Sequence, residues 1–264
     1  MTLAQAAILG VVQGLTEFLP VSSSAHLALF PWVFGWKDPG LAFDVALHWG
    51  TLVALLIYFW REWLKLAAGA LRALLERRLN DETVLLGKLI AGTVPAAIAG
   101  VLLEDYADRV LRAPWIIATM LAVVGVVMWI ADRRARSGDD SATPGWGAAI
   151  AIGCAQALAL VPGTSRSGIT MIAGLWAGLP RPAAARYSFL LSAPIIFGAG
   201  LKELPKIVHG DPGTTLVGLV AAAISGGFAI AFLLRYLSRG SFVPFAVYRL
   251  ALAAFVVVLI VVRG

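Results

Sequence analysis

Six apolar stretches, each about as long as a helix that crosses a lipid bilayer, dominate the amino-acid sequence. They cover residues 41–60, 84–103, 115–131, 183–201, 215–237 and 243–262. A crossing helix needs about 20 residues, and inside the hydrocarbon core only helices and closed barrels satisfy their backbone hydrogen bonds. The sequence therefore predicts an all-α polytopic membrane protein with six transmembrane helices. The 14% of charged residues and the mean hydropathy of +0.86 exclude a soluble domain, because soluble domains carry about 25% charged residues.

Two further apolar stretches, 2–34 and 146–180, are interrupted near the middle by a polar loop that contains proline. The two loops read FLPVSSSAH and LVPGTSRSG. Each arm has about 15 residues, which is short of the roughly 20 that a crossing helix needs. We therefore predict two re-entrant helix-loop-helix hairpins, whose irregular backbone must be buried in protein or line a wet cavity.

The two broken stretches also resemble each other. Gln13 precedes Pro20 much as Gln156 precedes Pro162, with a one-residue gap in the match. Each copy consists of one hairpin followed by three spans, and an odd number of spans reverses the orientation of the second copy. The sequence thus predicts an inverted-topology repeat within one integral membrane domain. The domain covers 1–264, with repeat halves of about 1–131 and about 146–264.

Basic residues are distributed unequally between the two sides of the predicted membrane. The side with the loop after the first span collects twelve Lys and Arg residues, and the opposite side has six. By the positive-inside rule the richer side is cytoplasmic, so the first hairpin opens toward the outer face. On the cytoplasmic side, residues 61–82 fit an amphipathic helix that lies on the membrane. We assign the net charge of +6 to this topology and exclude nucleic acid as a partner. The single cysteine, Cys154, excludes an intramolecular disulfide.

The first loop is preceded by a possible metal site. Gln13 and Glu17 are four residues apart, so they share one face of a helix. A carboxylate at membrane depth costs about 2.5–3.5 kcal/mol, which makes Glu17 a functional candidate. Oxygen ligands one turn apart suit a hard divalent cation such as Mg²⁺ or Ca²⁺. The alternative is a protonated Glu17 that hydrogen-bonds inside a packed interface.

Three hydroxyls and an imidazole follow Pro20. Ser22, Ser23 and Ser24 stand where the returning arm begins, and each is suited to cap free backbone N–H groups. His26 changes that interpretation, because serine beside histidine is the minimal pairing of a nucleophile with a proton acceptor. We therefore predict that Ser23 and His26 are catalytic and that Ser22 and Ser24 contact the substrate.

The second loop, PGTSRSG, has the composition of an anion-binding site. Gly163 permits backbone N–H groups to turn toward a ligand, and Thr164, Ser165 and Ser167 offer hydroxyls. Arg166 offers a planar fork for phosphate oxygens. A helix predicted to begin at about residue 169 points its positive end at the same place.

The repeat brings the two loops together into one predicted site. A carboxylate, serines, a histidine and an arginine suit phosphoryl transfer, where charge on phosphate oxygens must be neutralised. A site inside the bilayer implies a substrate with a lipid tail. Asp44 and His48, four residues apart on the first span, either support this site or form a structural pair, and the sequence favours neither reading.

The sequence resembles the bacterial undecaprenyl-pyrophosphate phosphatases of the bacitracin-resistance type over essentially its whole length. The most specific parts are QGLTEFLPVSSSAH and PGTSRSG, and FDVALHWGTL and YSFLLSAPIIFGAG are also similar to the family. The resemblance implies a bacterial cell (inner) membrane enzyme that removes one phosphate from undecaprenyl pyrophosphate. The product is the monophosphate carrier lipid that is reused in peptidoglycan synthesis.

The resemblance also implies roles for individual residues. Gln13 and Glu17 match the family's acidic element that is involved with the metal, although many members have glutamate at position 13. Ser23 and His26 match residues of the catalytic centre, and Arg166 matches the phosphate binder. Three identities of the nucleophile stay open: Ser23 with His26 moving its proton, His26 itself, or an activated water.

Two other functions fit the sequence to different degrees. A type 2 phosphatidic-acid phosphatase needs a second histidine, paired with an aspartate, shortly after its Ser-Arg element, and the residues after Arg166, SGITMIAGLW, contain neither. A transporter or flippase of a polyprenyl phosphate lipid or another anion is the stronger alternative, because inverted repeats with broken helices are typical of transporters. The pair Gly226-Gly227 permits close helix packing, within one chain or in a homodimer.

Overall fold

The computed structural model describes residues 1–135, 138, 141–208 and 210–263, except for the side chains of 104–109. Within these residues the chain forms eleven α-helices, one short 3₁₀ turn and no strand, which confirms the all-α prediction. The helices are α1 (Leu3–Phe18), α2 (Ser23–Phe34), α3 (Leu41–Tyr58), α4 (Trp60–Glu76), α5 (Asp81–Val110), α6 (Pro114–Arg133), α7 (Trp146–Ala157), α8 (Arg166–Trp176), α9 (Arg181–Val208), α10 (Pro212–Leu237) and α11 (Val243–Arg263).

Six of these helices are long and apolar enough to cross a membrane, counted over the residues that the structure describes. They are α3, α5, α6, α9, α10 and α11, and each contains most or all of one predicted span. Their outer faces expose large apolar side chains such as Val101, Phe228 and Val261, each more than 70% accessible. Exposure of such apolar faces to water is unfavourable, whereas their contact with lipid is not. The chain is therefore a multi-pass membrane protein.

Helix α4 is shorter than the amphipathic helix predicted over 61–82. It ends at Glu76, because Arg77 takes a left-handed conformation with φ of 54°. Asn80 then starts the next helix: its Oδ1 accepts from the Thr83 amide at 2.8 Å, and its Nδ2 donates to the Gly69 carbonyl at 2.8 Å. Of the basic residues counted for topology, Arg136 and the side chain of Arg109 lie outside the described residues.

The two polar loops break their helices in the same way. Ser22 caps α2 with φ of 77°, and its Oγ accepts from the Ala25 amide at 3.3 Å. Ser165 caps α8 with φ of 70°, and its Oγ accepts from the Gly168 amide at 3.1 Å. This cap starts α8 at Arg166, three residues before the predicted start. The polar side chains of both loops are thus held at helix N-termini.

Glycines allow the arms before the two loops to pack closely. Helix α1 lies against α10, and a methyl group added at Gly14 would come within 2.6 Å of the Gly226 amide nitrogen. Helix α7 lies against α5, and a methyl group added at Gly153 would come within 2.8 Å of the Gly92 Cα. Each broken helix therefore packs against a span from the other half of the chain.

Candidate functional site

The two loops open onto one cavity of about 500 Å³ inside the helical bundle. Its apolar wall comes mainly from α5 and α9, with residues such as Ala96, Ala97, Val101 and Ile195. Five of the predicted site residues line it: Glu17, Ser23, Ser24, Ser165 and Arg166. Its other polar lining residues are His48, Thr93, Gln156 and Lys202. The cavity thus joins a polar end to an apolar wall, as a substrate with a charged head and a lipid tail requires.

Glu17 is the centre of the polar end. Its side chain is 4% exposed, and Arg166 Nη2 donates to its Oε1 across the two loops. Its Oε2 accepts from Ser23 Oγ at 2.5 Å and from Gln13 Nε2 at 3.0 Å, and His48 Nε2 lies 3.3 Å away. All four neighbours donate to the carboxylate or can do so, an environment that stabilises the ionised form. The carboxylate therefore holds a hydroxyl of the first loop beside a guanidinium of the second.

His26 directs neither ring nitrogen at Ser23. Its Nδ1 lies 2.7 Å from the Ser22 carbonyl oxygen, and its Nε2 lies 2.7 Å from the Tyr248 hydroxyl. The Tyr248 ring stacks on the imidazole with centroids 5.8 Å apart. Both ring nitrogens are therefore engaged away from the nucleophile candidate, because the helical turn from Ser22 to His26 directs Nδ1 at the preceding carbonyl. The expected Ser23–His26 pairing is not formed, and Ser23 pairs with Glu17 instead.

The two terminal nitrogens of Arg166 differ in their surroundings. Nη2 bonds to Glu17, whereas Nη1 is buried and has no hydrogen-bond partner among the described residues. Arg166 lies at the N-terminus of α8, directly after the cap residue Ser165. An unpaired buried guanidinium nitrogen is costly unless a ligand completes it. The geometry therefore presents a forked donor at the positive end of a helix, which suits a phosphate group.

The other predicted site residues, together with Ser24, shape the two loops. Ser22 and Ser24 join their Oγ atoms at 3.2 Å, and Ser167 donates to the Leu19 carbonyl at 3.3 Å. Gly163 turns with φ of 95°. Thr164 is buried, and its Oγ1 has no partner in the part of the chain that the structure describes.

Arg249 connects the two loops from α11, and the sequence interpretation missed it. The side chain is fully buried. Its Nη1 donates to the Pro20 carbonyl at 3.2 Å, and its Nη2 donates to the carbonyls of Gly163 at 2.6 Å and Thr164 at 3.1 Å. The available signal was its position as the lone charged residue within the stretch 243–262, because an intramembrane charge is functional by default.

Asp44 and His48, the pair on α3 whose role the sequence left open, make different contacts. Asp44 Oδ2 accepts from Arg112 Nη2 at 3.1 Å. His48 directs Nδ1 at the Asp44 carbonyl oxygen, 2.7 Å away, and Nε2 at Glu17. His48 thus belongs to the site, whereas the Asp44 carboxylate forms an ion pair beside it.

The donor set fits a divalent cation only in part. Gln13 presents its Nε2 to Glu17, while its Oε1 is buried without a partner among the described residues. Glu17 already accepts from several donors, including a guanidinium. No group of three His, Cys, Asp or Glu residues stands together in the described part of the chain. A cage built by the protein alone does not fit, but Mg²⁺ is commonly bound by one or two carboxylates together with substrate phosphates, and these residues fit that case.

The fold and the cavity define a multi-pass membrane protein with a partly polar cavity where two loops meet. Residues 6–255 match the family model described as "Bacitracin resistance protein BacA", and the chain belongs to this family. It is 54% identical over 260 residues to an undecaprenyl-diphosphatase of Gemmatimonas aurantiaca, covering 96% of each chain. It is 47% identical to an undecaprenyl-diphosphatase of Pelotomaculum thermopropionicum, covering 100% of this chain and 98% of the relative. A third undecaprenyl-diphosphatase, from Desulforudis audaxviator, is 48% identical over 97% of each chain.

Proposed function

We propose that the protein hydrolyses undecaprenyl pyrophosphate to undecaprenyl phosphate and inorganic phosphate. The reaction recycles the lipid carrier of peptidoglycan synthesis and confers resistance to bacitracin. One observation carries the proposal: Glu17 holds Ser23 Oγ and Arg166 together at the polar end of an apolar cavity. The names and the near-complete coverage of the relatives support the same activity.

The contacts support a division of labour within the site. Arg166 binds the terminal phosphate through its free Nη1, and Ser23 is the nucleophile. The Ser23 proton passes to Glu17 while the bond from Oγ to phosphorus forms and the anhydride bond to the lipid phosphate breaks. Water then attacks phosphorus, the bond from Oγ to phosphorus breaks, and Glu17 returns the proton to Ser23 Oγ, while both hydrogens of the water leave with the inorganic phosphate. His26 acts by holding the turn at Ser22 through its bonds to that residue and to Tyr248.

A divalent cation, Mg²⁺ or Ca²⁺, belongs to the proposal as a partner of the pyrophosphate. Gln13 and Glu17 are the residues that would hold it, and it would supply charge neutralisation on the phosphate oxygens.

The proposal includes an orientation and a topology. The two broken helices form re-entrant hairpins in an inverted repeat, with halves of about 1–131 and about 146–264 in one domain. The matching serine caps and the packing of α1 on α10 and of α7 on α5 support this arrangement. The protein lies in the bacterial inner membrane, and the cavity opens toward the outer face, as the excess of basic residues on the other side supports.

Phosphate release from a polyprenyl pyrophosphate by the purified protein tests the activity. Glu17→Ala and Arg166→Ala should each lower kcat by at least about 10²-fold, because each removes a charge that stabilises the transition state. Arg186→Ala is the matched control, since this arginine pairs with Glu62 away from the cavity. Full activity in both site variants would contradict the proposed site.

Trapping a phosphorylated protein tests the nucleophile. We expect an acid-stable adduct at Ser23. An acid-labile adduct would identify His26 as the nucleophile, and the lack of any adduct would favour water.

Lipid translocation is a second candidate function, favoured by the meeting of two broken helices at one cavity. Movement of a fluorescent polyprenyl phosphate across vesicles that contain the Glu17→Ala protein would separate translocation from hydrolysis.

A further inference from the structure

Gln156 is a buried amide without a hydrogen-bond partner in the part of the chain that the structure describes. The residue is 2% exposed, and neither Oε1 nor Nε2 has a hydrogen-bond partner among the residues that the structure describes. It nevertheless lines the same cavity as Glu17, Ser23 and Arg166. A buried amide without partners is destabilising, so its presence at a cavity wall points to a ligand that completes it.

The corresponding residue of the first arm, Gln13, does have a hydrogen-bond partner. Gln13 precedes the cap Ser22 by the same number of residues as Gln156 precedes the cap Ser165. Gln13 donates to Glu17 one turn further along its helix. Four residues after Gln156 stands Leu160, which offers no acceptor. The second arm thus keeps the amide but lacks the internal partner.

The packing of α7 fixes where this amide lies along the cavity. Helix α7 runs beside α5 in the same direction, with Trp146 against Gly87 and Gly153 against Gly92. Gln156 follows one turn later, beside the part of α5 that forms the apolar wall with Ala96 and Ala97. It therefore stands between the wall for the lipid tail and the loop that carries Arg166.

We infer that Gln156 hydrogen-bonds the phosphate that stays attached to the lipid, and so determines which phosphate reaches Ser23. The inference rests on the proposed hydrolysis of a polyprenyl pyrophosphate. The terminal phosphate must lie at Ser23 and Arg166 for attack, so the inner phosphate lies toward the apolar wall, where Gln156 stands. A primary amide provides two N–H donors for phosphate oxygens and adds no charge. Gln156 is a positioning residue, because it contacts no atom that is transferred.

Product inhibition shows which of the two phosphates of the substrate Gln156 binds. With farnesyl pyrophosphate as the substrate, Gln156→Leu should raise KM and should raise the inhibition constant of farnesyl phosphate by about 10- to 100-fold, the range for one lost hydrogen bond to a charged group. The inhibition constant of inorganic phosphate should change by less than about twofold, because the terminal phosphate keeps Arg166. Cys154→Ala is the matched control, since Cys154 is an exposed residue of the same helix and does not line the cavity.

Thermal unfolding in detergent excludes a merely structural explanation. Gln156→Leu and Gln156→Met replace an unpaired buried amide by an apolar group of similar size, so their Tm should equal or exceed that of the wild type. A lower Tm in both variants, or an unchanged inhibition constant for farnesyl phosphate, overturns the inference while the proposed function stands. A wild-type protein that releases no phosphate overturns the proposed function, and the inference with it.

Discussion

The loops at Ser22 and at Ser165 have nearly the same backbone and opposite chemistry. In both, a serine at positive φ caps the next helix, and a second serine two residues later lies 3.2 Å from it. Between these serines the first loop has Ser23 and the second has Arg166. The framework is therefore shared, and the residue between the two serines decides whether a loop supplies a nucleophile candidate or a cation.

The arms before the loops differ in a second way. Glu17 stands in the first arm where the second arm has Leu160. A buried carboxylate and a buried guanidinium are each unfavourable alone and stabilise each other when paired. Because each loop supplies one of these charges, the site is complete only when both loops meet, and Arg249 binds carbonyls of both.

Exchanging the two central residues should give the largest effect. A Ser23→Arg, Arg166→Ser double variant keeps both caps and the composition, but it moves the hydroxyl away from Glu17 and puts the guanidinium in its place. We expect phosphate release to fall by more than about 10³-fold, as for loss of a nucleophile together with a charge-stabilising donor. Phosphate release at more than a tenth of the wild-type rate would mean that the two loops are chemically interchangeable.

The second-largest effect is expected when the connection that Arg249 makes between the two loops is removed. Arg249→Met leaves the buried carbonyls of Pro20 and Gly163 without donors, at about 1–3 kcal/mol for each. Both the free energy of unfolding and the activity should fall. Arg263→Met is the control on the same helix, because Arg263 donates to the Trp32 and Val33 carbonyls at an exposed position and should cost less than about 1 kcal/mol. Equal losses in the two variants would mean that the bonds from Arg249 to the two loops contribute no more than those of an exposed arginine.

The close helix contacts at Gly14 and at Gly153 should respond alike to substitution by alanine. Gly14→Ala and Gly153→Ala each force a methyl group against backbone of a neighbouring helix, which typically costs about 1–3 kcal/mol. Gly227→Ala meets nothing within 4 Å among the described residues and should stabilise α10 by up to about 1 kcal/mol. Unfolding in detergent measures all three. A loss in only one arm would show that the two crossings are not equivalent.

The sequence predicted the spans well, because crossing a bilayer requires a length and an apolarity that are visible in any window of the chain. All six predicted spans were found, and the broken helices were found at both polar loops. The one-residue gap in the repeat applies to the prolines and not to the caps. Matching the prolines required it, whereas the caps Ser22 and Ser165 match at the same spacing as Gln13 and Gln156. Cap geometry depends on φ, which a sequence match does not report.

The site was predicted less completely, because side-chain direction depends on tertiary packing. Ser23 and His26 are close in sequence, but the imidazole faces Tyr248 on α11. His48 enters the cavity from α3, a helix that carries no loop motif. Neither contact has a local signal, since each requires two elements that are distant along the chain to meet.

The smallest expected effect concerns the caps themselves. Ser22→Ala and Ser165→Ala each remove a hydroxyl that accepts from a backbone amide three residues later, and each should cost about 1 kcal/mol. The cost should be equal in the two loops, because the cap does not depend on the residue between the serines. Ser22→Gly and Ser165→Gly should cost only a few tenths of a kcal/mol, since glycine adopts positive φ without strain. Thermal unfolding resolves the pairs. A cost confined to Ser22 would mean that its hydroxyl contributes through the site, with Ser24, and not through the shared framework.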